Sequence, residues 1–241
     1  MPASSGHALK EINMVAAIIV AAGKGVRMQG SLPKQYLPLA GLPILAHTLT
    51  VLGKCDRVGR IYLVIPPNDF DFCRARILNR IKLAADINLV AGGARRQESV
   101  YRGLQHLDPG CGIVVIHDGV RPFVRHEQIT ACINGAQKFG SCILGIPAYD
   151  TLKQVDPSGN IVNTTAREAI WMAQTPQAFR YELIKKAHDQ ARLDGYQGTD
   201  DAALVERVGA PVKIIRGSRS NIKITTKEDL EIARALLEKG L

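Results

Sequence analysis

Short apolar, β-branched runs alternate along the first two thirds of the chain with stretches whose apolar positions return every three or four residues. The runs at 15–20, 60–65, 87–90, 113–117 and 142–146 are predicted strands, and 44–52, 70–83, 97–107 and 127–139 are predicted helices. Strands this continuously apolar belong in a sheet covered on both faces by helices. The alternation therefore predicts an α/β fold built on a doubly wound, mostly parallel sheet.

The rhythm breaks after Pro147. Two polar, alternating segments at 151–155 and 160–164 flank Asp156-Pro157-Ser158-Gly159, in which Pro presets φ and Gly tolerates a positive φ. This predicts a protruding β-hairpin, and 147–170 reads as an arm. An isolated two-stranded hairpin is marginal in water, so the arm needs a partner surface, most simply a second copy of the chain. The α/β pattern then resumes, with helices at 180–193, 200–208 and 227–238 and strands at 212–215 and 222–225. Thr225-x-x-Glu228 reads as a capping box for the last helix. Residues 14–241 thus form a single domain, with 1–13 a polar, flexible leader and Met14 a plausible native start.

Composition narrows the class. No apolar stretch nears the roughly 18 residues of a membrane span, and the leader lacks a secretory apolar centre, so a cytoplasmic protein is expected. The five cysteines are scattered without a C-x-x-C pair, which speaks for buried thiols over a disulfide framework or a zinc site. A formal charge of +9 asks for an anionic partner. The basic residues are not gathered with interleaved aromatics as nucleic-acid surfaces are, so small phosphates are the expected ligands.

The first predicted strand runs into Ala21-Ala22-Gly23-Lys24-Gly25-Val26-Arg27-Met28. A glycine loop at the carboxyl end of a first strand is where open α/β sheets bind nucleotides, through backbone N–H groups that cradle phosphate. Met28 stands where a dinucleotide fingerprint needs its third glycine, and Gly30 is followed by Ser31 rather than the lysine of a Walker loop. The loop alone is equally a tight strand-to-helix turn. Arg27 and Lys34 change the balance, because two cations bracketing one loop read as a triphosphate clamp.

Ala-Ala-Gly-x-Gly-x-Arg-Met followed by Pro33-Lys34-Gln35-Tyr36 resembles the signature of nucleotidyltransferases that activate sugars and polyols. Four more segments resemble the 2-C-methyl-D-erythritol 4-phosphate cytidylyltransferase family of the non-mevalonate isoprenoid pathway. They are Gly92-Gly93-Ala94-Arg95-Arg96-Gln97-Glu98-Ser99-Val100, His117-Asp118-Gly119-Val120-Arg121-Pro122, Gln174-Thr175-Pro176-Gln177 and Asn221-Ile222-Lys223-Ile224-Thr225. They occur in the family's order and spacing. The resemblance implies a Rossmann-like nucleotidyltransferase that transfers CMP from CTP to a polyol phosphate and releases pyrophosphate, with Mg²⁺ held mainly by the CTP phosphates and no metal ligands on the protein.

By the same resemblance Lys34, Lys223 and Arg27 surround the triphosphate as the catalytic cations. Ala21, Ala22, Gly23, Gly25, Gly92, Gly93, Ser99 and Gly119 bind CTP, the segment from Gly92 to Ser99 reading cytosine. Asp118, Arg121, Thr151, Arg167, Thr175 and Thr199 bind the acceptor, and the arm carrying Arg167 reaches a neighbouring subunit's site in a homodimer. Gly119-Val120 and Thr165-Ala166 depart from the family's usual pattern on the acceptor side, which keeps ribitol phosphate or another polyol phosphate as the alternative acceptor. His117 is expected to pack at a strand end rather than act in catalysis.

Overall fold

The computed structural model describes residues 14–23 and 32–240. The leader at 1–13, Gly25 and Arg27, on which expectations were placed, lie outside the described residues. The chain runs from β1 (Met14–Val20) through a small pair, β2 (Pro38–Leu39) and β3 (Leu42–Pro43), into α1 (Ile44–Gly53) and β4 (Arg60–Ile65). It continues through α2 (Phe70–Arg76), β5 (Asp86–Ala91), α3 (Arg96–Gln105), β6 (Cys111–Asp118), α4 (His126–Phe139) and β7 (Ser141–Pro147). The arm is β8 (Leu152–Val155) and β9 (Ile161–Thr165). Then follow β10 (Trp171–Arg180), α5 (Tyr181–Leu193), α6 (Asp201–Arg207), β11 (Lys213–Arg216) and α7 (Lys227–Glu238).

Seven strands form the central sheet in the order β11-β7-β10-β6-β1-β4-β5. All neighbouring pairs are parallel except those made by β10, which runs antiparallel to both β6 and β7. Strand alternation splits β1 between two cores: Val15, Ala17 and Ile19 face one, Ala16, Ile18 and Val20 the other. Helices α1 and α4 close the first core through residues such as Leu49 and Ile133. Helices α3 and α5 close the second through Leu104 and Ile184. The doubly wound sheet is thus as the alternation predicts.

Four local expectations need correction. Strand β10 was not anticipated, because Pro176 lacks an N–H and sits amid glutamines, a combination that reads as loop. The sheet tolerates it through a register shift against β7 between Gln174 and Gln177, and the segment from Gln174 to Phe179 is buried. The helix expected over 70–83 stops at Arg76 and gives way to one 3-10 turn, Leu78–Arg80, since Ile77 leaves helical geometry at φ −121 and ψ −67. The segment 222–225 is not a sheet strand; Ile224 N–H instead donates to the Val120 carbonyl at 3.0 Å. Its apolar side chain supplies the attachment that strand pairing would have given, packing with Leu39, Ile44 and Phe123. The capping box sits one residue later than expected, with Thr226 and Asp229 bonding each other's backbone N–H groups, because Thr226 is the residue in extended conformation at the helix mouth.

The arm is built as its sequence requires. Asp156 accepts from the N–H groups of Ser158 and Asn160, both at 2.9 Å, and Gly159 takes φ +85. Val155, Ile161 and Val162 stand exposed along it, an apolar surface that this chain itself leaves uncovered.

Candidate active site

The site forms where β1, β5 and β6 present their carboxyl ends, the edge at which open α/β sheets bind ligands. After β1, Ala21 N–H donates to Val64 O at 2.8 Å, which turns Ala22 and Gly23 out over the edge. After β5, Gly92 lies so close to that first loop that a Cβ there would fall 2.3 Å from the Ala22 Cβ. Glycine is therefore required by the approach of the two loops. On the first turn of α3 the Ser99 hydroxyl accepts from Gly93 N–H at 3.1 Å and donates to the Arg95 carbonyl at 3.0 Å. Ser99 thus shapes the loop from Gly92 to Arg95 as well as lining the cleft.

Ala21, Ala22, Gly23, Lys34, Gly93, Ser99, Asp118 and Lys223 line one cleft of about 160 Å³. A second hollow of about 240 Å³ holds Arg121, Thr175 and Thr199, and it shares Arg96, Asp118 and Lys223 with the first. Gly92 and Gly119 stand behind the cleft wall, where Gly119 N–H donates to Val20 O at 2.9 Å and its carbonyl accepts from Thr48. Thr151 and Arg167 lie elsewhere, exposed on the arm, with Arg167 bonded to the Tyr149 carbonyl. The chain therefore brings the expected nucleotide residues it describes to one edge and leaves the two arm residues away from it.

Charge concentrates on Asp118. Its Oδ2 lies 2.7 Å from Lys223 Nζ, its Oδ1 3.0 Å from Arg96 Nε, and Arg121 Nε stands 3.7 Å away. Burial alone would raise this carboxyl, but Arg96, Lys223 and Arg121 outweigh it and hold it far below the usual carboxylate range. The Asp118 N–H is fixed by the Thr175 hydroxyl at 3.1 Å. Arg96 also reaches the buried Asp201 at 2.7 Å, and Asp201 in turn meets His188 at 3.1 Å. Burial works against the Arg96 charge, and the two carboxylates more than restore it. His117 is fully buried, its pKa pushed down to about 4 by burial, with Nε2 on the Arg121 carbonyl at 3.0 Å. It is neutral at pH 7 and packs at the strand end.

Sequence reasoning did not single out Arg96. It stands beside Arg95 in a motif, and nothing in the sequence tells which of the two turns inward; the start of α3 decides, placing Arg96 between Asp118 and Asp201. Among the described residues no group of three histidine, cysteine or acidic side chains is placed to hold a metal. Both Asp118 oxygens face cations, so the shared wall between the hollows presents a donor set suited to phosphate oxygens.

The family model for 2-C-methyl-D-erythritol 4-phosphate cytidylyltransferase, IspD, matches residues 15–239. The chain is 47% identical over 225 residues to the protein of that name from Syntrophus aciditrophicus, covering 93% of this chain and 96% of that one. It is 44% identical over 227 residues to the one from Pelotomaculum thermopropionicum, covering 94% and 95%. Among solved structures it resembles 4-diphosphocytidyl-2C-methyl-D-erythritol synthase from Anaerococcus prevotii, with a TM-score of 0.83, 34% identity and coverage of 94% and 97%.

Proposed function

This chain belongs to the 2-C-methyl-D-erythritol 4-phosphate cytidylyltransferase family, and from that premise we propose how its residues divide the work. The protein transfers CMP from CTP to 2-C-methyl-D-erythritol 4-phosphate, releasing pyrophosphate, in isoprenoid precursor synthesis. One observation carries the division of roles: two hollows meet at a shared wall of Lys223, Asp118 and Arg96, and we assign the first to the nucleotide and the second to the acceptor.

CTP lies along Ala21, Ala22 and Gly23, with its base against the loop from Gly92 to Ser99. Gly92 and Gly119 let the backbone come close, and Gly25 belongs to the same CTP-binding set. The acceptor phosphate has a second pKa of about 6, so it arrives largely as a dianion and needs no general base. One of its oxygens attacks the α-phosphorus of CTP, a P–O bond forms, and the bond to the β-phosphate oxygen breaks as pyrophosphate leaves. What the protein supplies is alignment and positive charge. Lys34 and Arg27 hold the triphosphate, and Lys223 faces the α-phosphate from the shared wall. Asp118, Arg121, Thr175 and Thr199 receive the acceptor's hydroxyls and its chain.

Mg²⁺, which would be held mainly by the CTP phosphates rather than by side chains of this chain, would supply further charge neutralisation when bound. Two copies form a homodimer through the arms, so that Arg167 and Thr151 of each complete the partner's acceptor site. Exposed Val155, Ile161 and Val162 support this reading, as does the position of Arg167 away from its own cleft. The cytoplasm is its compartment. The test is pyrophosphate release with CTP and a panel of polyol phosphates: 2-C-methyl-D-erythritol 4-phosphate should be turned over far faster than ribitol 5-phosphate. The reverse order would overturn the acceptor assignment.

A further inference from the structure

The geometry points to Gln174 and Asn221 as positioning residues that fix Lys223 for the transfer step; this rests on the role given to Lys223 above. Lys223 lies in the stretch between β11 and α7, which has no strand pairing to stiffen it. Its ends are tied by backbone, Gly217 N–H to Gly145 O at 2.7 Å and Ile224 N–H to Val120 O at 3.0 Å. Between those ties two buried amides clasp each other and the loop. Gln174 Nε2 donates to the Ser218 carbonyl at 2.8 Å and lies 3.4 Å from the Asn221 carbonyl. Asn221 Nδ2 donates to the Thr175 carbonyl at 2.9 Å and reaches Gln174 Oε1 at 3.4 Å.

The loop closes directly onto this clasp. A Cβ on Gly217 would fall 2.3 Å from Gln174 Oε1, and the Asn221 carbonyl also receives Arg121 Nη1 at 2.7 Å. The adjoining residue of β10, Thr175, holds the Asp118 N–H. One short piece of β10 thus sets both members of the Lys223–Asp118 pair. Amides suit the task because each both donates and accepts while carrying no charge. A carboxylate in place of either would lose the donor and compete with Asp118 for Lys223.

A misplacement of about 1 Å at a reacting group costs on the order of 10²-fold in rate. The experiment therefore substitutes Gln174→Met and Asn221→Leu, which keep volume and remove the donors, each in the wild-type and the Lys223→Ala backgrounds. Expected in the wild-type background is a fall in kcat of roughly 10- to 10²-fold, with KM for CTP within about threefold. In the Lys223→Ala background the same substitutions should cost less than about twofold, because the residue they position is gone. Equal losses in both backgrounds would mean a role in folding only and would overturn the inference, as would unchanged kcat. Should Gln174→Met fail to fold, Gln174→Ala, which removes the donor without adding a charge that could draw Lys223, takes its place under the same comparison. A Lys223→Ala enzyme with near-normal kcat overturns the role of Lys223 and this inference with it. Normal Gln174→Met and Asn221→Leu beside an impaired Lys223→Ala overturn the clasp alone.

Discussion

The ammonium of Lys223 lies 2.7 Å from the carboxylate of Asp118, on the wall shared by two adjoining hollows. Arg96 and Arg121 stand against the same carboxylate, so Asp118 has charged partners besides Lys223.

Lys34→Ala and Lys223→Ala should each lower kcat on the order of 10²-fold or more, the usual consequence of removing a charge partner of the transition state. Calorimetry should still detect CTP binding to both, at weaker affinity. Near-normal kcat in both variants would refute the electrostatic mechanism.

Asp118→Asn leaves Lys223 and Arg121 facing a neutral group, while Arg96 keeps Asp201. A loss of about 3 kcal/mol in unfolding free energy at pH 7 is expected for breaking such a buried cluster. Because the folded-state carboxyl is held below its ordinary value of about 4, its contribution is complete above that pH and fades as the pH falls further. Denaturant titrations should accordingly show the gap between wild type and variant closing below about pH 4. Equal stability at pH 7 would mean that the cluster contributes nothing.

Under the proposed roles CTP should be used far better than ATP or GTP, since a base seated against the loop from Gly92 to Ser99 meets backbone that penalises the volume of a purine. Ser99→Ala removes a hydroxyl that ties Gly93 N–H to the Arg95 carbonyl. With the Gly93 N–H left without its partner, while the Arg95 carbonyl keeps the Ser99 N–H at 3.0 Å, discrimination for CTP should weaken by about 1–3 kcal/mol, read as the ratio of kcat/KM values. Equal turnover of a purine triphosphate by the wild type would defeat the cytosine assignment.

Mixing inactive Lys34→Ala subunits with inactive Arg167→Ala subunits tests the shared site. If Arg167 serves the partner's acceptor hollow, each mixed dimer has one intact site and one carrying both lesions. Random exchange should then restore about a quarter of wild-type activity, by two-fold symmetry. No recovery despite verified exchange would confine Arg167 to its own chain.

The sequence by itself determined the sheet and the outline of the site. Alternating apolar runs and helical periods specify a parallel sheet covered on both faces, because each pattern can bury its apolar side in only one way. Ala21-Ala22-Gly23, Lys34, Asp118 and Lys223 were legible as parts of motifs, and the sheet's carboxyl edge gathers them. Tertiary structure alone decided β10, because the fit of Pro176 into a strand depends on how β7 shifts register to receive it. It alone turned Arg96 rather than Arg95 onto Asp118, and it alone placed the amides of Gln174 and Asn221 against the loop of Lys223. Periodicity reports which face of an element is buried. Which polar side chains meet from positions 47 apart in the chain depends on packing between elements, and local pattern carries no trace of it.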